Sequence, residues 1–257
     1  MGKRKENLVL LTEVSFVFFH FILRTTNERK HRVARTHTHT AHYPNGLNHK
    51  FIAWSKKELK SVFMGKGGRF EDPELRDIAK NKHKFVKTLG LIRGKRILDV
   101  GAGSGLMLPL LSKSVGNEGS VVAVDISSNF VDIMNDRIEE FGLKNTITLT
   151  CDETSIPIPD ESFDMALLVD VYHHVTYPTQ FMRSVYESLV SGGRLVILDF
   201  HRDTKRHYSH PGPWILEHVR ADQKTFRNEI ESCGFKYVCD ILIEGLDENY
   251  VMVFEKA

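Results

Sequence analysis

Three glycines in five positions, Gly101, Gly103 and Gly105, stand between the run Arg96-Ile97-Leu98-Asp99-Val100 and the apolar stretch Leu106 to Val115. The first run reads as a strand and the second as a helix whose Pro109 falls in its tolerant first turn. Missing side chains let the connecting backbone turn sharply and bring its amides close to a ligand. Ser120 to Val124 supplies the next strand and completes a βαβ unit, which commits this part of the chain to a parallel sheet covered by helices.

The pattern continues on both sides of that unit. Leu75, Ile78, Ala79, Val86 and Leu89 recur at helical spacing behind Pro73, which suits a first helical turn, and Gly90 ends the run. Phe130, Ile133, Met134, Arg137, Ile138 and Phe141 mark an amphipathic helix stopped by Gly142 and followed by a strand, Thr146 to Thr150. Met165 to Val169 is almost wholly apolar and belongs mid-sheet. Pro178 to Leu189 reads as a helix, Gly192-Gly193 as a turn and Arg194 to Phe200 as the fifth strand. Asp222 can cap a helix carrying Phe226, Ile230 and Cys233, and Phe235 to Ile243 with Tyr250 to Phe254 reads as a hairpin. The expected fold is α/β: a seven-stranded, doubly wound, mostly parallel sheet ending in an antiparallel hairpin.

The first sixty residues differ. Lys3-Arg4-Lys5 precedes a mostly apolar run, Leu8 to Leu23, and a basic stretch with His31, His37, His39 and His42 follows. No small-residue cleavage site follows the run, so a secretory signal is disfavoured. The run is short for a membrane anchor and contains Glu13 and His20. Thr36-His37-Thr38-His39-Thr40 is what a dinucleotide repeat encodes in one frame, which suggests a native start at Met64. Residues 1–63 are accordingly expected to be an extension that is disordered, targeting or mistranslated, and residues 64–257 the folded domain. A cytoplasmic location is expected, with organelle targeting or a membrane anchor through residues 1–24 as alternatives. With no Cys or carboxylate at ligand spacing beside these histidines, no metal site is expected.

Composition is that of a globular chain, 41% hydrophobic and 26% charged, and a formal net charge of +2 gives no reason to invoke nucleic acid. Cys151, Cys233 and Cys239 have no metal-type spacing and read as reduced, buried thiols.

The glycine spacing is G-x-G-x-G, and the dinucleotide fingerprint would need a small residue at Leu106. Phosphate cradling loses ground to another nucleoside ligand. Asp125, twenty positions beyond Gly105, ends the second strand, where a carboxylate can accept both ribose hydroxyls or cap the next helix. Asp152 closes the third strand at the same sheet edge and suits either an adenine amino group or a turn.

From about Phe70 to Glu255 the chain resembles the class I S-adenosylmethionine-dependent methyltransferases. Ile97 to Gly105 matches their first motif, Asp125 their ribose acid and Asp152 their adenine contact. Ile156 to Asp164, His173-His174-Val175 and Leu189 to Leu195 match the segments around the fourth and fifth strands. The segment Asp170-Val171-Tyr172-His173-His174 with the tail from Pro213 to Phe235 is similar to a subgroup of small methyltransferases. The resemblance implies S-adenosylmethionine as cofactor. Gly101, Ala102, Gly103 and Gly105 pass under its methionine part and Asp99 orients that end. Asp125 holds the ribose, Asp152, Ile126 and Glu153 surround the adenine, and Asp170 faces the reacting end.

Methyl transfer is an in-line attack on the sulfonium methyl and needs no covalent enzyme intermediate; it needs alignment in a dry pocket. For an acceptor that loses a proton, His173, His174 and Asp170 are the nearest bases. His207, Tyr208, His210, Trp214, His218 and Arg220, in the long connection after the fifth strand, are candidate acceptor contacts, and Arg220 is suited to an anion. Gly65 to Arg69 is a candidate cover over the cofactor. The expected function is methyl transfer to a small-molecule acceptor. The alternatives are a non-catalytic S-adenosylmethionine-binding module and a nicotinamide-dependent oxidoreductase.

Overall fold

The run expected to be buried on both faces, Met165 to Val169, lies in the strand Phe163–Val169 at the middle of a seven-stranded sheet. In the computed structural model, residues 52–90, 93–207 and 212–257 are described. The sheet comprises β1 (Arg96–Val100), β2 (Ser120–Asp125), β3 (Thr146–Thr150), β4 (Phe163–Val169), β5 (Leu189–Phe200), β6 (Phe235–Asp240) and β7 (Asn249–Lys256). Its order is β3-β2-β1-β4-β5-β7-β6. The pairings of β1 to β5 are parallel, and β7 runs antiparallel to both β5 and β6. This is the expected doubly wound sheet with an antiparallel C-terminal pair. Because β1 neighbours β2 on one side and β4 on the other, the order reverses there and a crevice opens beyond the strands' carboxyl ends.

The helices are α1 (Lys56–Phe63), α2 (Asp77–Thr88), α3 (Leu108–Val115), α4 (Ser128–Phe141), α5 (Pro178–Ser188), α6 (Trp214–His218) and α7 (Gln223–Ser232). Alternate strand residues face opposite layers. Leu98, Val100, Val122, Ala166 and Ile197 pack with Phe181, Val185, Phe226 and Ile230 of α5 and α7. Ile97, Val121, Ala123, Leu167 and Val196 pack with Ile78, Phe85, Leu108 and Leu111 of α2 and α3.

Several boundaries differ from expectation. α2 begins at Asp77, not behind Pro73, because Asp72 captures the Glu74 amide at 2.8 Å in a turn, and Leu75 is left exposed. β5 begins at Leu189, which ends α5 early. Gly192-Gly193 lies in an irregularity of that strand against β4 and not in a separate turn. A Cβ on Gly193 would stand 2.7 Å from the Val190 carbonyl oxygen, so the irregularity requires glycine. β6 stops at Asp240, short of Ile243. The three cysteines are free, but Cys239 is exposed and the other two are only half-buried by accessible surface.

The boundary expected at Met64 falls inside packed structure. Ser55 and Glu58 form a reciprocal capping box at the start of α1. Leu59 and Phe63 are buried in a cluster with Phe130 and Ile133 of α4, and Lys56 and Lys60 both reach Asp136. The packed unit therefore reaches back at least to Trp54. The Leu8–Leu23 run and the His31 to His42 stretch lie outside the described residues, as do Tyr208 and His210. No helix among the described residues is long and apolar enough to cross a membrane.

Leu59 is fully buried, so Leu59→Ala is expected to lower the unfolding free energy by about 2–5 kcal/mol. Chemical denaturation checks this; a cost under about 0.5 kcal/mol would mean that α1 is outside the cooperative unit.

Candidate functional site

The glycine turn is tied to the end of β2. The Gly101 and Ala102 amides donate to the Val124 carbonyl at 2.8 and 3.1 Å, and the Gly103 amide donates to Asp125 Oδ2 at 2.9 Å. Asp125 Oδ1 accepts the Ser127 amide at 2.9 Å, so this carboxylate links the loop to the start of α4. Gly101 has φ +67°, and a Cβ there would stand 2.5 Å from Val171 Cγ1. Glycine is therefore required both for the turn and for close packing of β4's exit segment beneath it.

Beside this loop lies a pocket whose wall includes Asp99, Gly101 to Ser104, Asp125, Ile126, Asp152, Glu153, Asp170 and His174, with apolar residues such as Phe70 and Phe181. Gly105, expected among the ligand contacts, does not line it. A Cβ on Gly105 would meet Leu108 and Met134, so its role is to pack the loop against the helices. Burial raises the Asp99 carboxyl to about 7, with the negative charge of Asp125 adding to the effect. Burial likewise raises Asp125 to about 6 against the lowering pull of the Ser127 and Gly103 amides. Two buried carboxylates in one pocket wall favour a cationic ligand.

Asp152 lines the pocket, but its side chain organises its own turn, accepting the Thr154 and Ser155 amides at 2.8 and 2.7 Å. Both readings of this residue are thus compatible with one structure: the side chain shapes the turn, and the turn forms the wall. Glu153 Oε1 accepts the Thr176 hydroxyl at 3.4 Å.

Asp170 follows β4 with φ +55°, a left-handed conformation that is uncommon for a non-glycine residue. Its backbone is held by a 2.8 Å bond to the Leu198 carbonyl. Its carboxylate is held by the Arg76 guanidinium and by the Asn249 amide at 2.5 Å. Burial raises it to about 6 despite Arg76. Asp170 thus lies in the wall as a clamped residue.

His173 and His174 occupy a single 3-10 turn, Tyr172–His174, that follows. His174 lines the pocket while His173 stands behind it. His173 Nδ1 lies 2.6 Å from Asp199 Oδ1 at the end of β5, and its Nε2 lies 3.1 Å from His218 Nε2. Asp199 also accepts the His173 and Phe200 amides at 3.0 and 2.7 Å. With an amide already on each oxygen, the carboxylate accepts the Nδ1 proton, which leaves the Nε2 lone pair of His173 facing His218. Burial pushes His173 down to about 3 and His174 well below the ordinary histidine value, so both imidazoles are neutral.

The connection after β5 is more internally engaged than expected. Arg220 forms a paired ion contact with Glu229 at 2.7 and 2.6 Å and lies over the Phe226 and Tyr172 rings, which corrects its expected role as an anion grip. His207 is buried, its Nε2 donating to the His201 carbonyl at 2.6 Å, so it is not an acceptor contact. Trp214 stacks on His218. The Gly65 to Arg69 segment is folded down by Asp72, and Phe70 behind it reaches the pocket wall while stacking on Phe63.

Residues 98–197 match the methyltransferase domain family. The chain is similar to methyltransferases over that span and has their fold. Curated relatives include a ubiquinone/menaquinone biosynthesis C-methyltransferase of Xanthomonas oryzae pv. oryzae, 34% identical over 120 residues, which is 46% of this chain and 47% of the relative. The protein of the same name from Pseudomonas putida is 31% identical over 126 residues, 49% of each chain. The chain spans about half the length of these curated relatives. Among solved structures, an S-adenosylmethionine-dependent methyltransferase from Aquifex aeolicus superposes with a TM-score of 0.66 at 24% identity, covering 79% of this chain and 100% of that one. That likeness establishes the methyltransferase fold.

S-adenosylmethionine is the cofactor of this class of domain, and the residues present fit it. The methyltransferase domain offers a glycine turn at the strand ends and buried carboxylates that a sulfonium and an ammonium would neutralise. Arg76, Asp199 and Asn249, which organise the same edge, are absent from the sequence-level candidates. Asp199 had a signal, since it ends a strand at the ligand-binding edge. Arg76 had none, because its partner Asp170 is 94 positions away.

The carboxyl of Asp99 is raised above its unfolded value, so its contribution to stability is present at low pH and lost as pH rises through about 7. Asp99→Asn is therefore expected to stabilise the fold at pH 8 by on the order of 2–4 kcal/mol, and by less at pH 5. Denaturant titrations at the two pH values check both the sign and the difference.

Proposed function

We propose that this protein transfers a methyl group from S-adenosylmethionine to a small-molecule acceptor. The observation that carries the reading is the pair of buried carboxylates, Asp99 and Asp125, in the pocket wall beside the glycine turn. Bound there, the cofactor supplies an electrophilic methyl carbon on a positively charged sulfur.

Each residue's part follows from its position. The Gly101 to Gly103 backbone, fixed to β2, runs beneath the methionine moiety, and Asp99 attracts its ammonium. Asp125 keeps acceptor capacity for the ribose hydroxyls beyond its two amide bonds. Ile126, Glu153 and the turn built by Asp152 enclose the adenine. Phe70 and Phe181 are pocket-lining aromatics suited to excluding water.

Of the three proposed bases, Asp170 is clamped by Arg76 and Asn249, and His173 is engaged at both ring nitrogens. His174 is the histidine that lines the pocket and can meet an acceptor there. The wall contains Ile78, Leu106, Met107, Val169 and Val175, which suits an acceptor with a substantial apolar part. The quinone-pathway names of the relatives agree with that class, and ring carbon is accordingly among the acceptor atoms to test.

Calorimetry against S-adenosylhomocysteine, together with transfer of labelled methyl from the cofactor to candidate acceptors, tests the reading. Asp125→Ala is expected to weaken S-adenosylhomocysteine binding by about 1.5–3 kcal/mol, roughly 10- to 150-fold. Wild-type protein that fails to bind S-adenosylhomocysteine would defeat the proposal. Binding without transfer to any acceptor would favour a cofactor-binding module. Binding of a nicotinamide nucleotide instead would favour an oxidoreductase.

A further inference from the structure

Three imidazoles from two separate parts of the chain meet behind the pocket wall. His173 and His174 come from the turn after β4, and His218 ends α6, more than forty positions later. One ligand nitrogen from each can be chosen so that all three lie within 4.8 Å of one another. We propose that His173, His174 and His218 bind one divalent transition-metal ion of the zinc type.

The spacing supports this directly. Two nitrogens at about 2.0–2.1 Å from a tetrahedral ion lie about 3.3 Å apart, and His173 Nε2 is 3.1 Å from His218 Nε2. The carboxylate behind His173 is the second argument. Metal-binding histidines commonly donate their remote ring N–H to a carboxylate, which fixes the tautomer and aims the lone pair. Asp199 occupies that place at 2.6 Å from Nδ1 and is itself oriented by the His173 and Phe200 amides.

His218 is held from its other face, with the Trp214 ring stacked at 4.2 Å and 20°. The His173 and His174 rings are 4.0 Å apart between centroids. Rings held in this way lose little freedom when an ion enters. An all-imidazole set selects zinc, copper, nickel or iron over magnesium and calcium, which require oxygen ligands.

Because His174 also belongs to the pocket wall, the ion would stand at the edge of the acceptor space. A hydroxyl or thiol of the acceptor that reached the ion would bind as the anion, with its proton released to solvent. That consequence rests on the methyl-transfer reading, whereas the binding of the ion does not.

The test uses the full chain, stripped with a chelator and titrated with Co²⁺ as a spectroscopic probe and with Zn²⁺ in competition. One equivalent is expected, with a visible band of a nitrogen-ligated site that Zn²⁺ abolishes. His218→Ala is expected to weaken binding by about 100-fold or more, and Asp199→Asn by about 10- to 100-fold. A variant lacking His31, His37, His39 and His42 should retain the full signal, which separates this site from that N-terminal stretch. Cooperative thermal unfolding verifies that each variant is folded; if His218→Ala is not, Asp199→Asn decides. No uptake by the wild type, unchanged uptake in the folded variants, or loss of uptake with the N-terminal histidines would each overturn the proposal and leave the Nε2–Nε2 contact as an imidazole–imidazole hydrogen bond. Loss of S-adenosylhomocysteine binding with metal uptake intact would count against the methyl-transfer reading alone.

Discussion

Parallel pairing of β1 with both β2 and β4 is the constraint from which the site follows. Val100 stands opposite Val124 on one side and Leu168 on the other, so three strands end together at one edge. The residues at or just beyond those ends, Gly101, Asp125 and Asp170, are thereby brought together although they are far apart in sequence. The Gly101 and Ala102 amides then close the arrangement by both bonding to the Val124 carbonyl of β2. Loss of that register would disperse the pocket even if each strand survived.

The site is assembled at an energetic cost to the unliganded fold. Asp99, Asp125, Asp170 and Asp199 are all buried with raised carboxyls, and Asp170 also holds a left-handed backbone conformation. Such groups weaken a fold unless something else needs them. Here the Arg76 ion pair offsets part of the penalty at Asp170, and backbone amides offset part of it at Asp125 and Asp199. The remainder at Asp99 is what a cationic ligand would relieve.

The sheet was legible in the sequence because burial on two faces writes a nearly continuous apolar run, as in Met165 to Val169, and because glycine turns punctuate the strand ends. The pocket was legible where a residue adjoins a strand terminus, as with Asp99, Asp125 and His174. Tertiary partners were not. Nothing local marks Arg76 as the partner of Asp170, or His218 as a neighbour of His173. Arg220 looked available for an anion only because its Glu229 partner lies on the next helix. Gly192-Gly193 carried the composition of a turn, but neighbouring β4 drew Leu189 into the sheet, and the glycines serve a strand irregularity instead. Leu59 and Phe63 looked like part of an appendage, since the cluster that buries them is supplied by α4 and by Phe70.

The central claim is that the cofactor occupies the strand-end crevice between β1 and β2. Amide hydrogen exchange with and without S-adenosylmethionine measures this at residue level. The account predicts slower exchange at Gly101 to Ser104, at Ile126 and at Glu153, with the outer strand β6 unchanged. Protection absent from the Gly101 to Ser104 amides, or confined to segments away from that edge, would contradict it.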